Sequence, residues 1–197
     1  MNKTETIDAL LSANNGVVTT AAVLDEDISK TFFMEYVKRN GLRRAAQGIY
    51  VADDMWPDEY QLIQLQYPKV IFSHESALYL NGMAEREPDP ISVTVPRGYH
   101  SNSMENSDIK VYRVSADNHE TGLTYAETPT GARVRCYDLE RTLCDLLRSK
   151  NTVDYQELIS AFKSYVKRPD KNIPMLMRYG KQFRVTARLK PYLEVLL

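Results

Sequence analysis

Cysteine, histidine and long apolar runs are scarce in this chain, and each scarcity removes a class of protein. Cys136 and Cys144 are the only two cysteines of 197 residues. They are too few for a disulfide framework and fit a compartment where thiols stay reduced. The three histidines, His74, His100 and His119, are scattered, with no second ligand at metal-site spacing, so no metal is expected. No apolar stretch approaches the ~18 residues that span a bilayer. The opening Met1-Asn2-Lys3-Thr4-Glu5 lacks the basic-then-apolar layout of a signal peptide, so the expectation is a cytoplasmic protein with no membrane partner. P-loop, dinucleotide fingerprint and Ser/His/Asp signatures are also missing, and neither a cofactor nor an enzymatic activity is expected.

What is there begins with charge. The formal net charge is −1, which on its own argues against a nucleic-acid partner. Its distribution says more than its sum. Residues 1–27 hold one base against five acids, residues 28–50 hold five bases against Glu35 alone, and residues 167–190 hold eight bases against Asp170 alone. Two local basic segments therefore sit in a neutral chain.

Local signals divide the first fifty residues into short elements. Asn2 followed by Glu5 predicts a capping box, with Ile7, Leu10 and Leu11 as the apolar stripe of a helix. Asn14-Asn15-Gly16 ends it, Gly16 being suited to the left-handed C′ position. Val17-Val18 is extended, and Thr19 or Thr20 caps a second helix carrying Ala22, Val23 and Leu24. Ser29 caps a third, from about Lys30 to Arg39, closed by Asn40-Gly41. Leu42 to Val51 then reads as a hairpin about Gly48.

Helix, helix, helix and basic hairpin is the order of a winged helix-turn-helix, whose third helix enters the major groove while the wing lies along the backbone. Phe33 and Val37 face the core with Ile28 and Tyr36. Lys30, Thr31, Met34, Glu35, Lys38 and Arg39 are the positions expected to meet DNA, joined by Arg43, Arg44 and Gln47 of the wing. The blander alternatives are a solvated basic face or a protein-binding winged helix. DNA is favoured because the bases coincide with the two contacting elements.

The rest of the chain predicts an α+β domain. Asp53 to Pro57 reads as a junction, with Pro57 in the first turn of a helix carrying Tyr60, Ile63 and Tyr67. Val70–Phe72, Ile91–Val95, Ile109–Val114, Leu123–Glu127 and Ala132–Cys136 read as strands, and Ser73 caps a helix through Leu80. The connection between Val95 and Ile109 reads as long and mobile. After Tyr137 the pattern is helical, with stripes at Leu139/Leu143/Leu146/Leu147 and Leu158/Ile159/Phe162/Val166, and shorter helices around 175–183 and 187–196. The expected division is a DNA-binding domain over 1–54 and a second domain over 55–197.

Three stretches carry a family likeness: the helical start with its Gly48-Ile49-Tyr50-Val51 wing, Ser73-His74-Glu75-Ser76-Ala77-Leu78 before a short sheet, and Tyr137-Asp138-Leu139-Glu140-Arg141-Thr142-Leu143-Cys144-Asp145-Leu146-Leu147. Together they resemble the AbiEi-family antitoxins of the AbiE abortive-infection toxin–antitoxin systems. The resemblance covers nearly the whole chain. It implies a transcriptional autorepressor that binds inverted repeats of its own promoter through the winged helix. It also implies a C-terminal domain that neutralises a nucleotidyltransferase-like toxin without a stable complex, in the setting of phage defence.

Three further signals remain. Arg141 and Asp145 are four apart and can pair on one helix face; they are either an internal pair or an antitoxin surface. Lys167, Arg168, Lys171, Arg178, Lys181, Arg184, Arg188 and Lys190 form a second basic surface, for nucleic acid or for the toxin, and DNA is preferred because linking two weak sites raises affinity. Finally, Pro88-Asp89 with Asp108-Ile109-Lys110 matches the loose pattern of a metal-dependent nuclease targeted by a winged helix, the alternative reading. Antiparallel pairing of the two strands would hold Asp89 and Asp108 about 17 Å apart, at ~3.4 Å per residue, too far for one metal.

Overall fold

The computed structural model describes residues 2–56, 58–149 and 154–196 and holds, among them, eleven helices and two sheets. The chain takes the expected α+β class. It divides into two compact units, Met1–Pro68 with Glu127–Val134, and Lys69–Ala126 with Arg135–Leu197.

In the first unit the local signals act where they stand. Helix α1 (Lys3–Ala13) opens on a reciprocal capping box, Asn2 and Glu5 each accepting the other's backbone N–H at 2.9 Å. Asn15, at φ 53°, takes the left-handed C′ position that the sequence assigns to Gly16, and the Gly16 N–H closes on the Leu11 carbonyl at 2.8 Å. Strand β1 (Val17–Thr19) leads into α2 (Thr20–Asp25), capped by Thr19, and Ser29 caps α3 (Lys30–Arg39). Gly41, at φ 67°, ends α3 and lets the Leu42 N–H reach the Val37 carbonyl at 3.0 Å. Strands β2 (Arg43–Ala46) and β3 (Ile49–Val51) pair antiparallel, and β1 pairs on the other edge of β3. Ile7, Val18, Val23, Ile28, Phe33, Tyr36, Val37 and Tyr50 make the core.

This unit extends past the 1–54 span expected for it, which corrects the predicted boundary. Helix α4 (Glu59–Gln66), capped by Asp58, packs Leu62 against Val17, Ile49 and Val51. Asp58 also accepts the hydroxyls of Thr128 and Thr130, and Asn15 Nδ2 donates to the Thr130 carbonyl at 3.2 Å. A segment some seventy residues downstream of α4 thus completes the unit through polar contacts that periodicity does not register. The helix start expected at Pro57 lies outside the described residues.

The second unit holds β4 (Ile71–Phe72), α5 (His74–Leu80), β5 (Ile91–Pro96), α6 (Asn102–Glu105), β6 (Ile109–Val114), α7 (Ala116–His119) and most of β7 (Leu123–Glu127) and β8 (Arg133–Tyr137). These strands form a sheet in the order β6-β5-β4-β8-β7. β5 and β6 run parallel, Ile91 opposite Ile109; the antiparallel pairing supposed from the sequence is wrong. The connection between them is long enough to carry a crossover, and it is anchored, since Met104 of α6 is buried. Ser73 occupies the N-cap position of α5 without capping it, because its hydroxyl instead accepts from Thr94 at 2.8 Å. Helices α8 (Leu139–Arg148), α9 (Tyr155–Lys167), α10 (Ile173–Gln182) and α11 (Thr186–Leu196) follow, sharing a core of Leu143, Leu146, Leu158, Phe162, Tyr165, Leu176 and Leu189. No helix among the described residues is long and apolar enough to cross a membrane.

Candidate nucleic-acid interface

Helix α3 separates its residues cleanly. Phe33, Tyr36 and Val37 are buried, and Phe33 meets Tyr50 of β3 edge-on at 5.3 Å, fastening the helix to the hairpin. The Tyr36 hydroxyl donates to Asp8 of α1; burial, with that carboxylate beside it, pushes its ionisation up to about 12. With the inner face fixed at both ends, Lys30, Thr31, Met34, Glu35 and Lys38 are exposed and line a shallow open groove of about 470 Å³. The Tyr50 hydroxyl donates to Met34 Sδ at 3.5 Å, so the hairpin adjoins this groove.

The expected contacts are not equally free. Arg39 lies over the Tyr36 ring at 6.0 Å, and with Lys38 it occupies the last turn of α3, where cations suit the helix dipole. Arg43 is engaged within the unit: its Nε pairs with Asp53 at 3.1 Å and its Nη2 donates to the Met55 carbonyl at 2.9 Å. Arg44 Nε donates to the nearby Ala46 carbonyl at 3.3 Å and takes part in no ion pair among the described residues. Gln47 is exposed at the hairpin turn, beside Gly48 at φ 72°.

In the second unit, three of the eight predicted basic residues serve the fold. Arg168 forms a two-pronged pair with Asp170 at 2.8 Å, Lys171 donates to the Arg168 carbonyl, and Arg188 donates to the Leu147 carbonyl at 2.9 Å, satisfying the C-terminal end of α8. Lys167, Arg178, Lys181, Arg184 and Lys190 are exposed and share no ion pair with an acid among the described residues.

Arg141 and Asp145 are not a surface. They are 0% and 2% exposed, which overturns the antitoxin-surface expectation. Arg141 Nε pairs with Asp145 at 2.8 Å and its Nη1 donates to the Asn118 and Thr121 carbonyls, both at 2.8 Å. Its guanidinium is flanked by Tyr137 at 4.3 Å and Phe183 at 4.1 Å. Gly122, at φ 78°, is required beside it, because a Cβ there would come within 2.6 Å of Arg141 Cβ. Helix α8 is enclosed by α5, α9, α10 and α11, so Glu140, Arg141 and Asp145 on its polar side are covered too.

The parallel register changes the geometry of the nuclease pattern. Asp89 and Lys110 line one cavity of about 320 Å³ with Glu75, Arg86 and Glu157, and Lys110 Nζ donates to Glu75 at 2.9 Å. Asp108 is exposed and does not line it. Among the described residues no three of His, Cys, Asp or Glu converge to hold a metal ion. Sequence reasoning missed Glu75 and Glu157 as neighbours of Lys110, since no local pattern links the starts of α5, β6 and α9.

No family model matches the chain, and no curated protein matches it. Among solved structures it is similar to the crystal structure of the RV2827C protein from Mycobacterium tuberculosis, with a TM-score of 0.56 at 16% identity, over 91% of this chain and 71% of that one. At that identity the likeness is one of fold alone.

Proposed function

We propose that the first unit is a winged helix-turn-helix that binds double-stranded DNA, with α3 as recognition helix and the β2–β3 hairpin as wing. The observation that carries this reading is the exposed groove of α3 with Lys30 and Lys38 at its two ends, fixed from behind by Phe33 and Tyr36 and flanked by the hairpin through the Tyr50–Met34 contact. The motifs that resemble those of the AbiEi antitoxins extend the proposal. The protein is an autorepressor acting at inverted repeats of its own promoter, and its second unit neutralises a nucleotidyltransferase-like toxin. The exposed bases Lys167, Arg178, Lys181, Arg184 and Lys190 would then serve as a further contact to a polyanion.

The test is a titration of labelled duplex DNA from the region upstream of the reading frame. Replacing Lys30, Lys38, Arg43 and Arg44 with alanine should abolish binding at physiological salt while circular dichroism stays native, with a salt slope flatter by ~0.9 for each phosphate that is no longer neutralised. Unchanged binding by the quadruple variant sinks the proposal. The nuclease alternative gains Asp89 and Lys110 in one cavity, but among the described residues no carboxylates converge as a metal would need. Cleavage of the same duplex on adding Mg²⁺ or Mn²⁺ would favour it instead.

A further inference from the structure

From the residues that line the α3 groove, we infer that this helix reads a cytosine amino group through Glu35 and thymine methyl groups through Met34 and Thr31. The inference rests on the DNA-binding reading and deepens it by naming what is read.

Lys30 and Lys38 at the ends of the groove can meet guanine, but between them the helix carries no arginine, lysine, asparagine or glutamine, the side chains that recognise guanine and adenine by paired hydrogen bonds. Its outward positions are instead a hydroxyl with a methyl (Thr31), a thioether (Met34, 38% exposed) and a carboxylate (Glu35). Met34 is held at the groove by the hydrogen bond from Tyr50, which presents a fixed apolar surface where a thymine 5-methyl is the apolar feature of the major groove.

Glu35 is the more telling residue. It is the only acid between residues 28 and 50, and it takes part in no ion pair among the described residues, although Lys38 and Arg39 stand three and four positions along the helix. Arg39 lies over the Tyr36 ring instead. A bare carboxylate facing DNA is repelled by the phosphates unless it accepts a hydrogen bond from a base. In the major groove the donors are cytosine N4 and adenine N6. Adenine sets its N7 acceptor beside N6, and an ionised carboxylate, which only accepts, is repelled there. Cytosine offers the amino group without that neighbour.

Selection from a random duplex library with the whole chain tests this directly. Wild type should enrich a site with a fixed cytosine close to thymine, and changing that cytosine should weaken binding by ~5- to ~150-fold, the range of one well-made base contact. Glu35→Gln should move the preference at that position from cytosine to adenine, because glutamine both donates and accepts. A second measurement needs no variant: replacing the thymines of the enriched site with deoxyuridine should weaken wild type, and Met34→Ala should be less sensitive to that replacement. An enriched site whose cytosine preference survives Glu35→Gln, or which tolerates deoxyuridine without loss, overturns this inference and leaves DNA binding standing. Failure of wild type to bind any duplex overturns the DNA-binding reading and this inference with it.

Discussion

Helices α3 and α8 are each ten residues long, each carries four charged residues, and they put those charges to opposite uses. On α3, Lys30, Glu35, Lys38 and Arg39 are exposed around a buried seam of Phe33, Tyr36 and Val37. On α8, Glu140, Arg141 and Asp145 are buried and only Arg148 is exposed. The difference lies in what surrounds each helix. Each carries five apolar residues, but α3 packs chiefly against α2 and keeps a free polar face, whereas α8 is enclosed by α5, α9, α10 and α11, which cover its polar side as well. A buried charge must then be matched. Asp145 and two carbonyls do so for Arg141, while Glu140 accepts from the Tyr165 hydroxyl at 2.7 Å and the Asn172 N–H at 2.9 Å. The charge pattern of a helix therefore says little about function until its packing neighbours are placed.

The largest expected effect breaks the α8 side of this comparison. Arg141→Ala takes from buried Asp145 its closer partner, leaving Arg148 at 3.2 Å, and strips the Asn118 and Thr121 carbonyls of their donor, and should cost about 3–5 kcal/mol in urea denaturation. Lys30→Ala and Lys38→Ala, on the exposed face of α3, should each stay within about 0.5 kcal/mol of wild type. The double change Arg141→Met with Asp145→Leu should recover much of the loss, since an apolar pair of similar size avoids the desolvation cost. An Arg141→Ala protein as stable as wild type would mean that the α8 charges are not held by one another.

A smaller effect concerns pH. His74, at φ 51°, is buried, stacked on Tyr112 at 3.5 Å, with its two ring nitrogens 3.0 Å from Ser73 Oγ and 3.1 Å from Ser149 Oγ. Burial lowers its pKa from 6.5 to about 4. The folded state therefore binds a proton less readily than the unfolded state. The stability linked to His74 is whole above pH 6.5, falls as pH drops from there towards 4, and levels off below. The loss is on the order of 3 kcal/mol at 1.36 kcal/mol per pKa unit. Comparing denaturation of wild type and His74→Gln across that window checks it: the His74-linked slope should vanish in the variant. An equal slope in both proteins would assign the pH dependence elsewhere.

The same contrast explains how far the sequence was legible. The element boundaries of the first unit are set by short-range contacts, namely the Asn2–Glu5 box, the Thr19 and Ser29 caps and the Gly41 and Gly48 turns, and these read directly. Its completion by residues 127–134 did not, because Asp58 meets Thr128 and Thr130 across seventy positions. In the second unit Ile91-Ser92-Val93-Thr94-Val95 alternates like a half-exposed strand, yet all five residues are buried. Ser92 and Thr94 are satisfied by Ser73 and Ser76, partners about twenty residues away. Strand direction likewise depended on pairing that no local pattern carries. Of the candidate interface, the exposure of the α3 face followed from its period, but the engagement of Arg43 did not.

That engagement gives the smallest and sharpest prediction. The sequence assigns Arg43 to a DNA phosphate or the neighbouring minor groove, but its guanidinium is held by Asp53 and the Met55 carbonyl. Both side chains of the ion pair are largely exposed, at 52% and 73%, so the pair contributes only ~0.2–1 kcal/mol. To reach a phosphate Arg43 must give it up, and Asp53 also adds a negative charge beside the incoming backbone. Asp53→Asn removes both obstacles and should tighten binding to duplex DNA by ~1.4- to ~5-fold, the same energy expressed as affinity. The salt slope should steepen by up to ~0.9 as one more counterion is released. Arg43→Ala should weaken binding and, combined with Asp53→Asn, remove most of the gain. Equal affinities for wild type and Asp53→Asn at low salt would mean that Arg43 stays bound to its own loop on DNA, leaving Arg44 and Gln47 as the hairpin's contacts.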